Sequence, residues 1–344
     1  MATNKSRGYV LITGGAGFIG INTALHFLAG GTKVVILDNF SRIGSKDNIV
    51  WLKSIYSDKV RIIKSDICND RKVLEQAVAN AFAVIHLAGQ VAVTKSVTNP
   101  RDDFERNALG TFNVLEAVRI SKHKPALIYS STNKVYGSLS GARVREGAKR
   151  YSFSNRPKGI AEDEPLDFHS PYGCSKGAAD QYVRDYARIY NLNTVVLRQS
   201  CVYGPHQFGI EDQGWVAWFI IASNMGREIS IYGNGKQVRD ILYVSDLCEL
   251  YEKLINNIKK VRGQVFNIGG GVDNTLSLLE FLPMLDNASY NFGKVRPGDQ
   301  PIYISDISKA KRLLGWQPTV SPKEGIVKLK QWVEDNKTVL KRYL

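Results

Sequence analysis

Short apolar runs alternate with amphipathic stretches along most of the chain. The runs 8–13, 33–37 and 59–64 are rich in Val, Ile and Leu and predict buried strands. Similar runs predict further strands at 83–87, 126–130 and 194–197, and helical spacing predicts helices up to about Gly30, over about 100–121 and from Ser170 onwards. Strands that alternate with helices predict an α/β fold, a doubly wound parallel sheet with ligands at the carboxyl ends of its strands.

A glycine-rich turn follows the first predicted strand directly. Gly14, Gly17 and Gly20 lie between that strand and an apolar helix. Glycines let the backbone turn tightly and approach a pyrophosphate, which rests on the helix N-terminus. Asp38 ends the second strand, where a carboxylate can accept from the adenosine ribose hydroxyls and would repel a 2′-phosphate. This order of strand, glycines, helix, strand and acid predicts a Rossmann-type unit that binds NAD in preference to NADP.

A tyrosine and a lysine stand four residues apart at the start of a later predicted helix. Ser170 and Pro171 are a helix-start signal, with Ser170 as the N-cap. The spacing from Tyr172 to Lys176 puts the phenol and the ammonium on one helix face. A fixed positive charge favours the phenolate, so we expect Lys176 to lower the pKa of Tyr172 from its ordinary value near 10. The pair is a candidate for proton transfer.

Composition and charge narrow the class of protein. With 344 residues, of which 44% are hydrophobic, the chain can form one large or two smaller domains. It has no long apolar run and a polar start, so we expect no membrane segment. The net charge of +14 is dispersed, which favours a phosphorylated small molecule over nucleic acid. Four scattered cysteines predict no metal site, no disulfides and a cytoplasmic location: Cys68, Cys174, Cys201 and Cys248.

Many short motifs occur in an order that resembles the extended short-chain dehydrogenase/reductase family, the NAD-dependent epimerases and dehydratases. The resemblance covers essentially the whole chain. It rests on Gly14-x-x-Gly17-x-x-Gly20, Asp66-Ile67, His86-Leu87-Ala88, Asn107-x-x-Gly110-Thr111, Ser130-Ser131-Thr132, Tyr172-x-x-x-Lys176, Arg198, Tyr203-Gly204-Pro205 and Gly235-x-Gln237-x-Arg239-Asp240.

The resemblance implies a role for each matching residue. Tyr172 would be the general base, Thr132 would hold the substrate hydroxyl, and Lys176 would bind the nicotinamide ribose. NAD would be bound by Gly14, Gly17, Phe18, Ile19, Gly20, Asp38, Asn39, Asp66, Ile67, Leu87, Ala88, Gly89, Asn107, Ser130, Tyr172 and Lys176. The substrate would be bound by Gln90, Thr132, Asn133, Lys134, Gln213, Gln237, Arg239, Arg296 and Asp299.

The triplet that follows the two serines separates branches of the family. The sugar-nucleotide 4,6-dehydratases carry Thr-Asp-Glu there, whereas this chain has Thr132-Asn133-Lys134, without the two carboxylates that elimination needs. The segments 141–163, 166–176 and 212–215 resemble the branch that epimerises CDP-sugars at carbon 2. That branch implies oxidation of the sugar at C2 by tightly held NAD and return of the hydride to the other face.

Two other functions stay open. A UDP-hexose 4-epimerase is the first, although many of those enzymes have Asn at the position of Cys201. The second is a non-catalytic NAD-binding regulatory protein, against which the intact Thr132, Tyr172 and Lys176 argue. For the substrate, Arg239 and Arg296 match family positions that clamp a nucleotide diphosphate, which forked donors bind well.

The predicted domains are discontinuous. A Rossmann NAD-binding domain is expected over 1–205, 236–271 and 301–314, and a smaller nucleotide-sugar domain over 206–235, 272–300 and 315–344. Apolar stripes on the helices at about 100–121 and 171–190 predict a homodimer or a homotetramer, as in members of the family.

Overall fold

Two compact units make up the described part of the chain. The computed structural model describes residues 8–57, 59–286, 288–295 and 300–344. The first unit takes the described residues of Met1–Val135, with Ser170–Arg198 and Leu247–Phe266; the second takes those of Tyr136–His169, Gln199–Asp246 and Asn267–Leu344. The sequence predicted which segments bind the cofactor and which bind the substrate. The compact units are defined by contacts within the chain and do not test this assignment, so it stays a prediction.

The strands are short and rich in β-branched residues. They are β1 Tyr9–Thr13, β2 Val34–Asp38, β3 Val60–Lys64, β4 Ala81–His86, β5 Ala126–Thr132, β6 Val144–Glu146, β7 Tyr151–Phe153, β8 Thr194–Gln199, β9 Cys201–Tyr203, β10 Ile229–Tyr232, β11 Val238–Tyr243, β12 Val265–Ile268, β13 Thr275–Ser277, β14 Tyr290–Gly293 and β15 Ile302–Tyr303.

The helices lie between these strands. They are α1 Phe18–Ala29, α2 Ser45–Ile55, α3 Arg71–Ala79, α4 Val93–Thr98, α5 Pro100–Phe104, α6 Gly110–Ile120, α7 Ser170–Ile189, α8 Trp215–Asn224, α9 Val244–Asn257, α10 Leu278–Phe281, α11 Ser308–Leu314, α12 Pro322–Asp335 and α13 Lys337–Leu340. A π-helical turn, Glu105–Leu109, joins α5 to α6.

A seven-stranded sheet is the centre of the first unit, in the order β12-β8-β5-β4-β1-β2-β3. The pairs β1–β2, β1–β4, β2–β3 and β4–β5 are parallel. β2 is buried along its whole length, as expected for a strand covered on both faces. The predicted α/β fold of the Rossmann type is confirmed, and it brings the carboxyl ends of the predicted strands to one edge of the sheet.

The second unit is built around β11. This strand pairs in parallel with β9 and β15 and antiparallel with β13, while β10 pairs with β14. Helix α8 is buried over Val216–Ala222, because its apolar residues occur all round the helix. It packs in one core with residues of α12 such as Leu329 and Val333.

Candidate active site

The glycine turn between β1 and α1 brings the backbone close to the end of β4. Gly14 has φ +69°, in the left-handed region, and a Cβ there would lie 2.6 Å from the Ala88 nitrogen. A Cβ on Gly20 would lie 2.5 Å from the Gly15 Cα. Gly17 is the N-cap of α1 and has no side chain to cover the first N–H groups. The turn therefore presents a bare helix N-terminus, which suits a pyrophosphate.

Asp38 is the last residue of β2, at the same edge of the sheet as the glycine turn, and it is 7% exposed. Its Oδ2 accepts from the Ala16 N–H at 3.0 Å, and its Oδ1 accepts from the Phe40 N–H at 2.7 Å. Burial raises the pKa of Asp38, while these two N–H groups and the Arg42 guanidinium lower it. Carboxylate oxygens have spare lone pairs, so Asp38 can also accept from ribose hydroxyls. Together with the glycine turn, this geometry fits NAD.

Asn39 and Asp66 join the ends of β2 and β3. The Asn39 amide donates to Asp66 Oδ2 at 2.8 Å, and the Cys68 N–H donates to Asp66 Oδ1 at 2.8 Å. Burial acts to raise the pKa of Asp66, but these hydrogen bonds bring it below its ordinary value. Ile67 is buried beside them, so these three predicted cofactor residues lie together.

The π-helical turn contacts the segment after β4. Leu87 follows β4 and donates its N–H to the Thr13 carbonyl at 3.0 Å. Asn107 lies within the π-helical turn, and its Oδ1 accepts from the Gln90 N–H at 2.9 Å. A Cβ on Gly89 would lie 2.6 Å from this Oδ1. Such turns are frequent at functional sites, and here the turn places a buried amide next to Gly89, a predicted ligand of NAD, and Gln90, a predicted ligand of the substrate.

Helix α7 carries Tyr172 and Lys176, whose side chains are buried at the end of β5. Tyr172 is 8% exposed and Lys176 is 5% exposed. The Lys176 ammonium donates to the Ser130 carbonyl at 2.6 Å and lies 4.6 Å from the centre of the Tyr129 ring. The Tyr172 phenol is hydrogen-bonded to Thr132, which completes the set of predicted catalytic residues. The first unit therefore brings Thr132, Tyr172 and Lys176 together.

The pKa of Tyr172 differs from the sequence-based expectation. Burial raises it to about 12, and Asp103 adds to the rise, while Thr132 and Arg42 lower it. Burial also lowers the pKa of Lys176 to about 8, against the opposing effect of Asp103 and Asp180. The predicted lowering of the Tyr172 pKa is thus wrong for the protein alone, because desolvation of the phenolate outweighs the Thr132 hydrogen bond and the charge of Arg42.

Asp103 is an acidic residue at this site that the motifs did not indicate. Its Oδ1 accepts from the Gln90 and Asn107 amides, at 3.0 Å each, and its Oδ2 accepts from the Ser175 hydroxyl at 2.5 Å. The Gln90 amide also bonds to both backbone groups of Ala92. Gln90 is therefore turned into the protein here, and its predicted contact with substrate stays a prediction. Only the i, i+4 spacing of Asp103 and Asn107 could have indicated the network.

His86 is fully buried at the end of β4, with both ring nitrogens hydrogen-bonded. Its Nδ1 lies 2.7 Å from the Thr13 hydroxyl and its Nε2 lies 3.0 Å from the Thr111 hydroxyl. Thr111 donates its proton to the Asn107 carbonyl at 2.6 Å, so it accepts from Nε2–H, and Nδ1 accepts from Thr13. Burial lowers the pKa of His86 to about 3, with a contribution from Lys176. The imidazole is neutral at physiological pH.

The predicted substrate residues are divided between the units. Asn133 and Lys134 follow β5 in the first unit, where the Lys134 N–H donates to the Thr132 hydroxyl at 3.2 Å. In the second unit, Arg239 donates to the carbonyls of Val238 and Gln300, and Gln237 donates to that of Tyr232. Gln213 pairs with Ile210 in an isolated bridge. Arg296 and Asp299 lie outside the described residues.

The described part of the chain offers neither a cluster of metal ligands nor a helix that could span a membrane. Within residues 8–57, 59–286, 288–295 and 300–344, no cluster of three or more His, Cys, Asp or Glu side chains could hold a metal ion. In the same residues, no helix has both the length and the apolar character needed to span a bilayer.

Comparison with known proteins places the chain in a family. The family described as GDP-mannose 4,6 dehydratase matches residues 11–329. CDP-paratose 2-epimerase of Salmonella typhi is 46% identical over 334 residues, which cover 94% of this chain and 98% of that protein. A putative UDP-glucose 4-epimerase of Methanocaldococcus jannaschii is 31% identical, covering 95% and 99%.

A solved structure shares the whole fold. It is a UDP-glucuronic acid 4-epimerase from Bacillus cereus in complex with UDP-glucuronic acid and NAD, with a TM-score of 0.81 and 28% identity over 95% of this chain and 99% of that one. The chain belongs to this family of NAD-dependent nucleotide-sugar epimerases and dehydratases, of the short-chain dehydrogenase/reductase type.

Proposed function

We propose that this protein is a CDP-paratose 2-epimerase, also called CDP-tyvelose epimerase, which interconverts two CDP-sugars that differ at carbon 2. The observation that carries the proposal is the 46% identity to the Salmonella typhi enzyme over almost the full length of both chains. The proposed substrate is a CDP-sugar and the proposed cofactor is NAD.

The first unit would hold NAD through the edge of its sheet. Gly14, Gly17 and Gly20 would admit the pyrophosphate to the start of α1, and Asp38 would accept from the adenosine ribose. Lys176 would bind the nicotinamide ribose. When bound, NAD supplies a hydride acceptor that becomes a hydride donor in the same turnover.

Tyr172 would handle the proton of the reaction. In the oxidation, its phenolate takes the proton of the C2 hydroxyl, which Thr132 holds in place by a hydrogen bond. In the reduction, its phenol returns the proton to the sugar oxygen. The side chains of Tyr172 and Thr132 are nearly buried, which favours proton exchange with substrate over exchange with bulk water. Rotation of the keto sugar between the two half-reactions would present its other face.

The residues after β5 support epimerisation over dehydration. Elimination of water needs an acid and a base beside the sugar, and Asn133 and Lys134 occupy the positions where dehydratases carry Asp and Glu. An amide can act neither as a general acid nor as a general base, and an ammonium has no lone pair with which to take a proton from carbon. Reversible oxidation of one hydroxyl is the chemistry that these side chains leave open.

The second unit would bind the nucleotide part of the substrate. Arg239 and Arg296 would clamp the diphosphate with forked donors, and Gln213, Gln237 and Asp299 would line the same site. Arg239 already donates to two backbone carbonyls, which fixes the direction of its guanidinium. The assignment of Gln90, Asn133 and Lys134 to the sugar belongs to this proposal as well.

We also propose a homodimer or homotetramer located in the cytoplasm. Phe104, Ile120, Tyr182 and Ile189 on α5, α6 and α7 are each more than half exposed. Large apolar side chains at that exposure suit a subunit interface. Cys68, Cys174, Cys201 and Cys248 are free thiols, as expected in a reducing compartment.

Product analysis by NMR tests the function. Purified protein is incubated separately with CDP-paratose, CDP-tyvelose and UDP-glucose, with deuterium at the carbon to be inverted. The expected result is inversion at C2 of either CDP-sugar with the deuterium retained, because the hydride returns to the same carbon. Inversion at C4 of UDP-glucose with unchanged CDP-sugars would instead establish the UDP-glucose 4-epimerase alternative.

Replacement of the proposed base gives a second test. Tyr172→Phe should bind CDP-sugar normally and lose turnover by several orders of magnitude. Tyr182→Phe is the matched control, since Tyr182 lies on the same helix and is 52% exposed. It should keep normal turnover. Near-normal turnover by Tyr172→Phe would remove the phenol from the mechanism.

A further inference from the structure

Asp103 is a buried carboxylate that no part of the proposed mechanism uses. It is 1% exposed and accepts hydrogen bonds from Gln90, Asn107 and Ser175. The two amides can only donate through nitrogen, and the third contact is a short one to a hydroxyl. Burial raises the pKa of Asp103, whereas the hydrogen bonds from Ser175 and Gln90 and the charge of Lys176 lower it. Three converging donors favour the carboxylate over the carboxylic acid, so Asp103 is treated as ionised inside the first unit.

The charge of Asp103 is balanced differently from that of Asp180, a second buried acid of the first unit. Asp180 forms a bidentate ion pair with Arg198, at 2.9 and 3.1 Å, so its charge is offset locally. The donors of Asp103 are a hydroxyl and two amides, which are uncharged. The electric field of an acid held by neutral donors therefore extends farther than that of an acid in an ion pair. The effect is stronger in a buried site, where the effective dielectric constant is low.

That field falls on the two residues that handle the proton. Ser175 lies between Tyr172 and Lys176 on α7, and its hydroxyl makes the 2.5 Å contact to Asp103. The carboxylate acts on both neighbours, since it raises the pKa of Tyr172 and that of Lys176. The same acid thus opposes loss of a proton from either residue.

We propose that Asp103 is a positioning residue whose buried negative charge offsets the positive charge of Lys176, so that Tyr172 both takes the proton of the C2 hydroxyl and gives it back. The proposal rests on the proposed proton transfer by Tyr172. Oxidation removes one proton from oxygen and one hydride from carbon, and reduction restores both. A tyrosine held too firmly as phenolate would perform the first half-reaction and fail in the second.

Other charged and titratable groups also face this set. Arg42 lowers the pKa of Tyr172, Asp180 raises that of Lys176, and Asp102 raises that of Asp103. His86 and Tyr129 also lie near Lys176, whose ammonium is 4.6 Å from the centre of the Tyr129 ring, and Arg198 is paired with Asp180. All of them stay unchanged in a variant of Asp103, so a shift in that variant belongs to the one charge that is removed.

Asp103→Asn removes the charge and keeps the shape. The Asn oxygen can still accept from Gln90 and Asn107, and its amide can donate to the Ser175 oxygen, so we expect the variant to fold. Ser175→Ala is the matched control, because it deletes one hydrogen bond of Asp103 and leaves the charge in place. If Asp103→Asn does not fold, Asp103→Ser is measured instead, since it also removes the charge.

The readout is ionisation of Tyr172 in the full-length protein with NAD and without sugar. Tyrosine labelled with ¹³C at Cζ is titrated with base up to the loss of the fold, and the Tyr172 signal is the one missing from Tyr172→Phe. Asp103→Asn should move the midpoint to lower pH by about one unit, a tenfold change in the phenolate-to-phenol ratio. Ser175→Ala should move it much less. An unmoved midpoint in Asp103→Asn, or an equal shift in Ser175→Ala, would overturn the proposal.

Turnover gives a second measurement. In Asp103→Asn the acidic limb of the kcat/KM profile should move to lower pH with the Tyr172 midpoint, since less base is then needed to form the phenolate. A fall in kcat without this movement would indicate a merely structural role. Because the titration needs no sugar, it can succeed even where the CDP-sugars are not epimerised, which separates this inference from the proposed function.

Discussion

Single atoms set the geometry of the nucleotide end of the site. Gly14 combines a left-handed backbone with an approach that leaves no space for a side chain, and Asp38 is held by two backbone N–H groups. The glycine motif and the acid could be predicted from the sequence, because backbone freedom and a carboxylate at a strand end are local properties. The net direction of the Tyr172 pKa could not, since it depends on burial by residues far apart in the chain.

Gly14→Ala should abolish NAD binding. The new Cβ would lie 2.6 Å from the Ala88 nitrogen, in addition to the left-handed strain of about 1–2 kcal/mol. Gly31→Ala is the control, because Gly31 has φ +77° and nothing within 4 Å of its Cβ position. Calorimetric titration with NAD should show no binding for the first variant and ordinary binding for the second. Ordinary binding by Gly14→Ala would contradict the assigned pyrophosphate site.

Buried His86 should make the stability of the protein depend on pH. Its pKa is about 3 in the folded protein and about 6.5 in an unfolded chain, so the unfolded state binds more protons between these values. This contribution to stability is complete above about pH 6.5 and falls by about 1.4 kcal/mol per unit as the pH decreases towards 3.

Urea unfolding across this range checks the effect of His86. The difference in unfolding free energy between the wild type and His86→Gln should shrink as the pH falls. His206, whose pKa burial lowers to about 4, contributes equally to both proteins and cancels. A constant difference between the wild type and His86→Gln would refute the assignment of a neutral, buried imidazole.

At the scale of elements, the apolar pattern located the six strands predicted from it, which are β1 to β5 and β8, within about two residues, and it was less accurate for one helix. The single helix predicted over about 100–121 is α5, a π-helical turn and α6. One extra residue in a turn hardly changes helical spacing, so the pattern cannot show it. The placement of Asn107, and through it of Asp103, depends on that turn. Ser170 begins α7, and its hydroxyl accepts from the Gly173 N–H at 3.3 Å, as an N-cap serine would.

The exposed apolar side chains of α7 lead to a prediction about assembly. Ile189 is 66% exposed, and a charge there should oppose burial in a subunit interface. Ile189→Asp should reduce the mass measured by light scattering to that of one chain. Val50→Asp on α2 is the control, as Val50 is 71% exposed on another helix. A monomeric wild type at micromolar concentration, or an unchanged mass for Ile189→Asp, would contradict the proposed interface.

At the scale of the molecule, the proposed functional residues are distributed between the two units according to their role. The proposed cofactor and proton-transfer residues all lie in the first unit, although Tyr172 and Lys176 are separated in sequence from the rest by the segment 136–169 of the second. The sequence indicated a discontinuous arrangement, because the pattern at residues 266–269 predicts a buried strand and turn that return to the first domain. It could not give the boundaries of the compact units, because contacts between distant segments determine them.

Turnover by the whole molecule should leave the redox state unchanged. If each hydride returns to the sugar from which it came, incubation with CDP-paratose should invert C2 with no lasting rise in the near-ultraviolet absorbance of NADH. The amount of NADH that stays bound to the protein during turnover should remain below one equivalent per chain. Stoichiometric accumulation of NADH with oxidised sugar would show a dehydrogenase in place of an epimerase.

The close approach of Gly89 to Asn107 limits how parts of this protein can be exchanged with those of its relatives. A methyl group at position 89 would overlap the Asn107 carboxamide oxygen, 2.6 Å away. A chimera could acquire an alanine at position 89 together with a relative's loop after β4. That alanine would displace the Asn107 carboxamide and disturb the hydrogen bond that it donates to Asp103. Loop grafting in this enzyme must therefore transfer the loop and the π-helical turn as one module.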